Sequence, residues 1–181
     1  MKKLAIAAAV LIATIGAQAQ TYGEIGYTAT TATTNINGNG IKASPSAIRG
    51  ILGYELSPNF AVEGMVAFGM SDGTLKVNGQ SVPGAKMEID NAVGVYIKPK
   101  TKLNDHLAIF ARAGFIRAKS TTTTATGGIG SVTGSENSFS YGAGMSYAIS
   151  PKTALTVDYM QYLNKDGFKV NGFTLGVGFK F

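Results

Sequence analysis

Phe173-Thr174-Leu175-Gly176-Val177-Gly178-Phe179-Lys180-Phe181, at the end of the chain, decides the reading of the fold. Successive side chains of an extended strand point to opposite sides, so Phe173, Leu175, Val177, Phe179 and Phe181 share one face while Thr174, Gly176, Gly178 and Lys180 share the other. This period of two marks a strand with one apolar and one polar face. Working back from it, the same alternation recurs in seven earlier segments. Their apolar faces carry Ile25 and Tyr27; Ile48, Leu52, Tyr54 and Leu56; Phe60, Val62, Val66 and Phe68; Ile89, Val93, Val95 and Ile97; Leu107, Ile109, Ala111, Ala113 and Phe115; Phe139, Tyr141, Ala143, Met145 and Tyr147; and Leu155, Val157 and Tyr159. Helical stripes are absent. Strands of about ten residues are what a tilted crossing of a bilayer requires. The pattern predicts an all-β fold, an eight-stranded antiparallel up-and-down transmembrane β-barrel.

The connections support this without using hydrophobicity. Ser57-Pro58-Asn59, Pro99 to Asp105 and Ser150-Pro151-Lys152 are short and built from turn formers, as periplasmic turns are. Between them lie longer polar stretches, Thr33 to Ser44, Ser71 to Lys86, Lys119 to Glu136 and Leu163 to Val170, which read as extracellular loops. Ser120 to Thr124 is a low-complexity run and is expected to be mobile. An even number of strands returns both termini to the periplasm.

Carried through every strand, the second face collects Glu24, Arg49, Glu55, Glu63, Glu88, Asp90, Lys98, Arg112, Asp158 and Lys180. It is also crowded with small residues, among them Gly53, Ala61, Ala67, Gly94, Gly114, Gly142, Gly144, Gly176 and Gly178, which suit a narrow enclosed space. An eight-stranded barrel is just wide enough to be filled by side chains, so inward acids and bases must pair or stay hydrated. An internal salt-bridge network follows. Six acids against four bases predict a mildly acidic lumen, and any pore through it a preference for cations.

Outward aromatics fall into two bands, as rings at headgroup depth do. Tyr54, Phe60, Tyr147, Phe179 and Phe181 lie near the periplasmic strand ends; Phe68, Phe115, Phe139, Tyr141, Tyr159 and Phe173 lie toward the other ends.

The other end of the sequence gives the compartment. Lys2 and Lys3, the apolar run Leu4 to Gly16 and Ala17-Gln18-Ala19 read as the three regions of a cleavable signal peptide, residues 1–19, leaving 20–181 as one barrel domain. The apolar run is shorter than a spanning helix needs. Loss of Lys2 and Lys3 lowers the formal charge from +6 to +4, and an exported chain of that charge is matched to anionic lipid rather than nucleic acid. There is no cysteine, hence no disulfide and no thiolate chemistry. One histidine, His106, is poor material for a metal site or a triad. No cofactor and no catalytic group is called for. Glu88 and Asp90 read as ion-pairing carboxylates, and Gly127 to Gly130 as a loop tip that opens no helix.

Tyr22-Gly23-Glu24-Ile25-Gly26-Tyr27 and Arg49-Gly50-Ile51-Leu52-Gly53-Tyr54-Glu55-Leu56 look like the first two strands of the OmpA/OmpX-like family of small outer-membrane barrels, and the chain resembles that family along its whole mature length. Phe173, Leu175, Val177, Phe179 and Phe181 are similar to its C-terminal assembly signal. The resemblance implies the outer membrane as location, with its lipids, lipopolysaccharide, the barrel-assembly machinery and periplasmic chaperones as partners. No peptidoglycan-binding domain follows the barrel, so wall anchoring by that route is not expected. Three functions stay open: a structural or surface-interaction protein, a narrow weakly cation-preferring pore, and a lipid A-modifying enzyme. The last needs a histidine with a hydroxyl partner, whereas His106 sits in a turn beside Asp105. Among the loop cations, Arg117 and Lys119 are the candidates for lipopolysaccharide phosphates, Arg117 foremost because its parity points it outward at the outer rim.

Overall fold

The computed structural model describes residues 21–36, 38–124, 130–165 and 167–181. The expected signal peptide, 1–19, lies outside them, as do 127–129 of the Gly-rich tip. The chain forms β1 (Thr21–Ile36), β2 (Asn39–Ala43), β3 (Ser46–Ser57), β4 (Phe60–Ser71), β5 (Gly73–Val77), β6 (Gln80–Lys102), β7 (Leu107–Thr124), β8 (Gly130–Ala148), β9 (Thr153–Lys165) and β10 (Phe168–Lys180). All pairings are antiparallel. Eight strands run β1-β3-β4-β6-β7-β8-β9-β10, and β10 returns to β1 from Tyr22↔Lys180 to Thr33↔Lys169. Closure pairs the backbone all round, which a sheet in hydrocarbon requires because no water is there to satisfy a free edge.

The short strands β2 and β5 extend the wall at the end away from the termini. β2 folds back on β1, β5 folds back on β6, and the two pair with each other at Ile41↔Val77 and Lys42↔Lys76. Much of what was expected as the loops Thr33 to Ser44 and Ser71 to Lys86 is thus paired strand. The Ser120 to Thr124 run also lies in β7, paired with Gly130 to Gly134 of β8. The β5–β6 hairpin turns at Asn78 (φ 49) and Gly79 (φ 86), where two left-handed residues give the twist that a two-residue hairpin needs. Asn78 also stitches the neighbouring hairpin: its Oδ1 accepts from the Gly40 amide at 2.9 Å, its own amide donates to the Gly40 carbonyl at 2.8 Å, and its Nδ2 donates to Asn39.

Side-chain parity follows the sequence reading along most of the wall. Ile25, Leu175, Val95 and Phe115 stand outward, the last two 65% and 67% exposed. So many bare apolar groups in one band fit a hydrocarbon solvent and not water. Strand β6 departs from the expectation. Its pairing with β7 slips between Ile89 and Asn91, so Asp90 is an extra residue bulged out of the ladder. One inserted residue reverses the pleat on its far side. Ala85 and Met87 are therefore buried and Ile89 turns inward, while Glu88 is exposed. The assignment of Glu88 and Asp90 to the interior network is corrected accordingly; the Asp90 carboxylate accepts from Thr121 instead. A second slip, in the β9–β10 pairing, leaves Tyr162 as the extra residue and brings both Tyr162 and Leu163 to the inside.

Candidate functional site

Six barrel strands each send one charged side chain to the middle of the interior: Glu24 from β1, Arg49 from β3, Glu63 from β4, Lys98 from β6, Arg112 from β7 and Asp158 from β9. All are at least nine-tenths buried. Arg112 sits at the hub, its Nε donating to Glu63 Oε2 at 2.6 Å, Nη1 to Asp158 Oδ2 at 2.7 Å and Nη2 to Glu24 Oε2 at 2.8 Å. Arg49 grips Glu24 Oε1 at 2.7 Å with Nη2, both oxygens of Asp158, and Tyr162 Oη at 3.1 Å with Nη1. Lys98 Nζ lies 2.9 Å from Glu63 Oε1, which also accepts from Tyr22 Oη at 2.6 Å. Three acids and three bases balance, as a desolvated cluster must if it is not to leave a net charge.

Aromatic rings complete the packing. Lys98 Nζ lies 4.8 Å from the Tyr22 ring centre and 4.4 Å from that of Phe110, and the Arg112 guanidinium is 4.6 Å from Phe110, within cation–π range. Room for these rings comes from glycines on facing strands. A Cβ at Gly53 would sit 2.2 Å from the Tyr22 ring, and one at Gly144 2.6 Å from Phe110.

Toward the termini a second, half-buried group forms: Glu55 pairs with Lys100 at 2.5 Å and with Lys180 at 3.4 Å. Lys100 was not among the expected interior residues, although it has the parity of Lys98. With Glu88 and Asp90 outside, inward acids number four (Glu24, Glu55, Glu63, Asp158) against five bases (Arg49, Lys98, Lys100, Arg112, Lys180). The expected acidic lumen is corrected on this count, and with it the physical basis for cation preference.

Toward the loop end the interior turns apolar. Ala32, Ala43, Met65, Ala67, Met87, Ala92, Ile116, Leu163 and Val170 are buried together there. Among the described residues the buried charges of the expected polar inner face are therefore limited to the half nearer the termini, while Thr28, Thr30 and Ser46 are buried beside the apolar group.

On the outside, Tyr54, Phe179 and Tyr147 are exposed near the terminal end, with Phe60 partly covered; Phe68, Phe115, Phe139, Tyr141, Tyr159 and Phe173 are exposed toward the other end. Phe115 packs edge-on against Phe139 at 5.6 Å. The Phe181 ring folds back over Gly23, to which an added Cβ would come within 3.6 Å, and the Phe181 amide donates to the Thr21 carbonyl at 3.2 Å. Arg117 and Lys119 are exposed, one and two outward positions beyond Phe115. Register brings further cations into line on the outer face of the hairpin extension: Lys169 opposes Thr33, Thr33 opposes Lys42, and Lys42 opposes Lys76. None of these three lysines forms an ion pair with another described residue, whereas Lys86 has Asp72 at 2.7 Å, which holds its ammonium above its ordinary pKa. His106 lies in the β6–β7 turn, its amide donating to Asn104 and its ring stacked on Tyr147 at 5.9 Å.

The fold has counterparts among solved structures. The structure superimposes on Ail, the attachment invasion locus protein of Yersinia pestis, with a TM-score of 0.62 at 17% identity, covering 91% of this chain and 100% of Ail. Neisserial surface protein A gives 0.66 at 14% identity over 89% and 97% of the two chains, and the N-terminal β-barrel domain of Pseudomonas aeruginosa OprF 0.59 at 16% over 91% and 100%. At these identities the likeness is one of fold. No curated protein matches the sequence. A family model described as outer membrane protein beta-barrel domain matches residues 5–181. With the apolar outer band, the closed ladder and that match on one chain, this protein belongs to the outer membrane protein beta-barrel domain family.

Proposed function

We propose that this outer-membrane barrel is a structural and surface-interaction protein, closed to solute passage, which carries a stiff hairpin platform above the membrane and contacts lipopolysaccharide through its loop-end rim. The observation that carries the reading is the six-strand ion cluster. Each of its members is buried and paired, so a solute crossing the interior has to break charge-assisted bonds in a desolvated site. The platform supports the second half of the reading, since Asn78 joins the two hairpins and leaves little loop entropy to lose on binding.

Arg117 and Lys119 stand just beyond the loop-end aromatics, at the depth where lipid phosphates lie, and Arg117 supplies a planar fork for a phosphate. The unpaired row Lys169, Lys42 and Lys76 adds positive charge above them. Like charges directly opposite on paired strands oppose pairing unless an anion joins them. Ail has been crystallised in complex with the heparin analogue sucrose octasulfate, and a polyanion on this chain's lysine row is the parallel. The reading includes export by the leader 1–19, passage with periplasmic chaperones, recognition of the Phe173 to Phe181 pattern by the assembly machinery, and both termini in the periplasm. A lipid A-modifying activity lacks support, because His106 lies in the exposed β6–β7 turn, at the opposite end of the barrel from the rim proposed to meet lipopolysaccharide.

The test joins two measurements on the refolded protein. Planar bilayers should show no stable conductance, and lipopolysaccharide co-purifying with wild type should fall several-fold in Arg117→Ala/Lys119→Ala. Steady single-channel steps, or unchanged lipopolysaccharide, would each remove the corresponding half of the proposal.

A further inference from the structure

The apolar loop-end half of the interior is the feature that the proposed function leaves unused. A barrel of this size needs only to be filled, yet here a cavity of about 60 Å³ remains, walled by Met65, Ala67, Met87, Ala92, Ile116 and Val170 among others. Arg49 and Tyr162 line it as well. Arg49 uses Nη1 and Nη2 in the ion cluster, but its Nε is buried beneath the cavity wall without an acceptor, and an orphaned donor costs stability that an acceptor reaching it through a re-packed wall restores. Thr28, Thr30 and Ser120 also line it, the first two with their hydroxyls engaged by Thr174 and by the Pro45 carbonyl; aliphatic side chains make up most of the rest, and a mainly apolar cavity holds water poorly and takes up apolar molecules. Met65 and Met87 are unbranched and can re-pack to enlarge the space.

We infer that this chamber is a binding site for a small, neutral, mainly apolar molecule carrying a single hydrogen-bond acceptor, the hydrocarbon part lying among Met65, Ala67, Met87 and Ile116 and the acceptor meeting Arg49 Nε. The chamber lies on the loop-end side of the ion cluster. A ligand therefore enters from that end and returns the same way. The site does not require that the outer rim bind lipopolysaccharide, although Lys119 of that rim also borders the chamber.

The methionines give the test. In protein refolded in detergent with methyl-labelled methionine, Met65 and Met87 report the chamber, while Met70 and Met145, exposed at 64% and 51%, report partition into the micelle. Cyclopentanone is the probe and cyclopentane its counterpart without the acceptor. Saturable shifts at Met65 and Met87 with cyclopentanone, half-complete at several-fold lower concentration than with cyclopentane, are expected, with linear drift only at Met70 and Met145. Ala67→Leu, which places a branched alkyl group in the void, should abolish the saturable component; Ala92→Val serves if that variant does not fold. Linear shifts at all four methyls, or saturation that survives filling of the void, would overturn the site. Equal half-saturation by the two probes would overturn the acceptor at Arg49.

Discussion

Removing Arg112 should cost this barrel more stability than any other single truncation of its interior charges. The guanidinium donates to Glu63, Asp158 and Glu24 at 2.6, 2.7 and 2.8 Å and lies over Phe110. In Arg112→Ala, Arg49 still holds Glu24 and Asp158, and Lys98 still holds Glu63, but three buried carboxylates then share two cations. Breaking a buried ion pair from one side destabilises by about 3–5 kcal/mol. With a urea dependence of about 2 kcal/mol per molar, the unfolding midpoint should fall by about 1.5–2.5 M. The assay is equilibrium urea unfolding of protein refolded in detergent, followed by tyrosine fluorescence and by heat-modifiable migration on gels. Because the loss is one of charge balance, adding Glu24→Gln should recover about 1–2 kcal/mol by leaving two acids with two bases. Lys86→Ala, which opens an exposed pair, should not move the midpoint measurably. A fall no larger than that of Lys86→Ala would refute the claim that the cluster is desolvated. A further loss on adding Glu24→Gln would refute the charge-balance argument.

Other variants test other parts of the molecule. Gly53→Val forces Tyr22 off its seat and away from Glu63, and should lower stability by about 2–3 kcal/mol in the same unfolding assay. Gly79→Val meets no neighbour, so its penalty is the left-handed backbone alone, about 1–2 kcal/mol; hydrogen exchange should show lost protection confined to β2, β5 and the start of β6, with an unchanged barrel midpoint. Deleting Phe181 uncovers Gly23 and should alter refolded stability by about 1 kcal/mol while lowering the yield of assembled barrel in cells several-fold; equal yields would argue against its role as an assembly signal.

The sequence made the wall legible because parity is a strictly local property: where the pleat is regular, Arg49, Arg112 and Asp158 point in for the same reason that Leu52, Ala113 and Val157 point out. It misled at Glu88, Asp90 and Ile89 because a bulge has no hydrophobic signature, and simple alternation runs straight through it. The hairpin extension was a different kind of miss. Val77-Asn78-Gly79-Gln80 carries a strong turn signal between possible strands, but richness in Gly, Asn and Thr read as loop composition. Tyr22 and Lys100 share the parity of Glu24 and Lys98 and were within reach of the same reasoning. The contacts among Arg49, Arg112 and their acids were not, since which inward charges meet across a barrel depends on the stagger of all eight strands at once.

Asp90 also keeps the chamber oily. Were it drawn into the ladder at unchanged length, plain alternation would line the chamber with Lys86 and Glu88 and give Met87 and Ile89 to the exterior, whereas excision of its codon would join Ile89 to Asn91 in a regular pleat and keep the present lining. An oily pocket and a wet, charged vestibule are thus one register step of β6 apart on an unchanged composition.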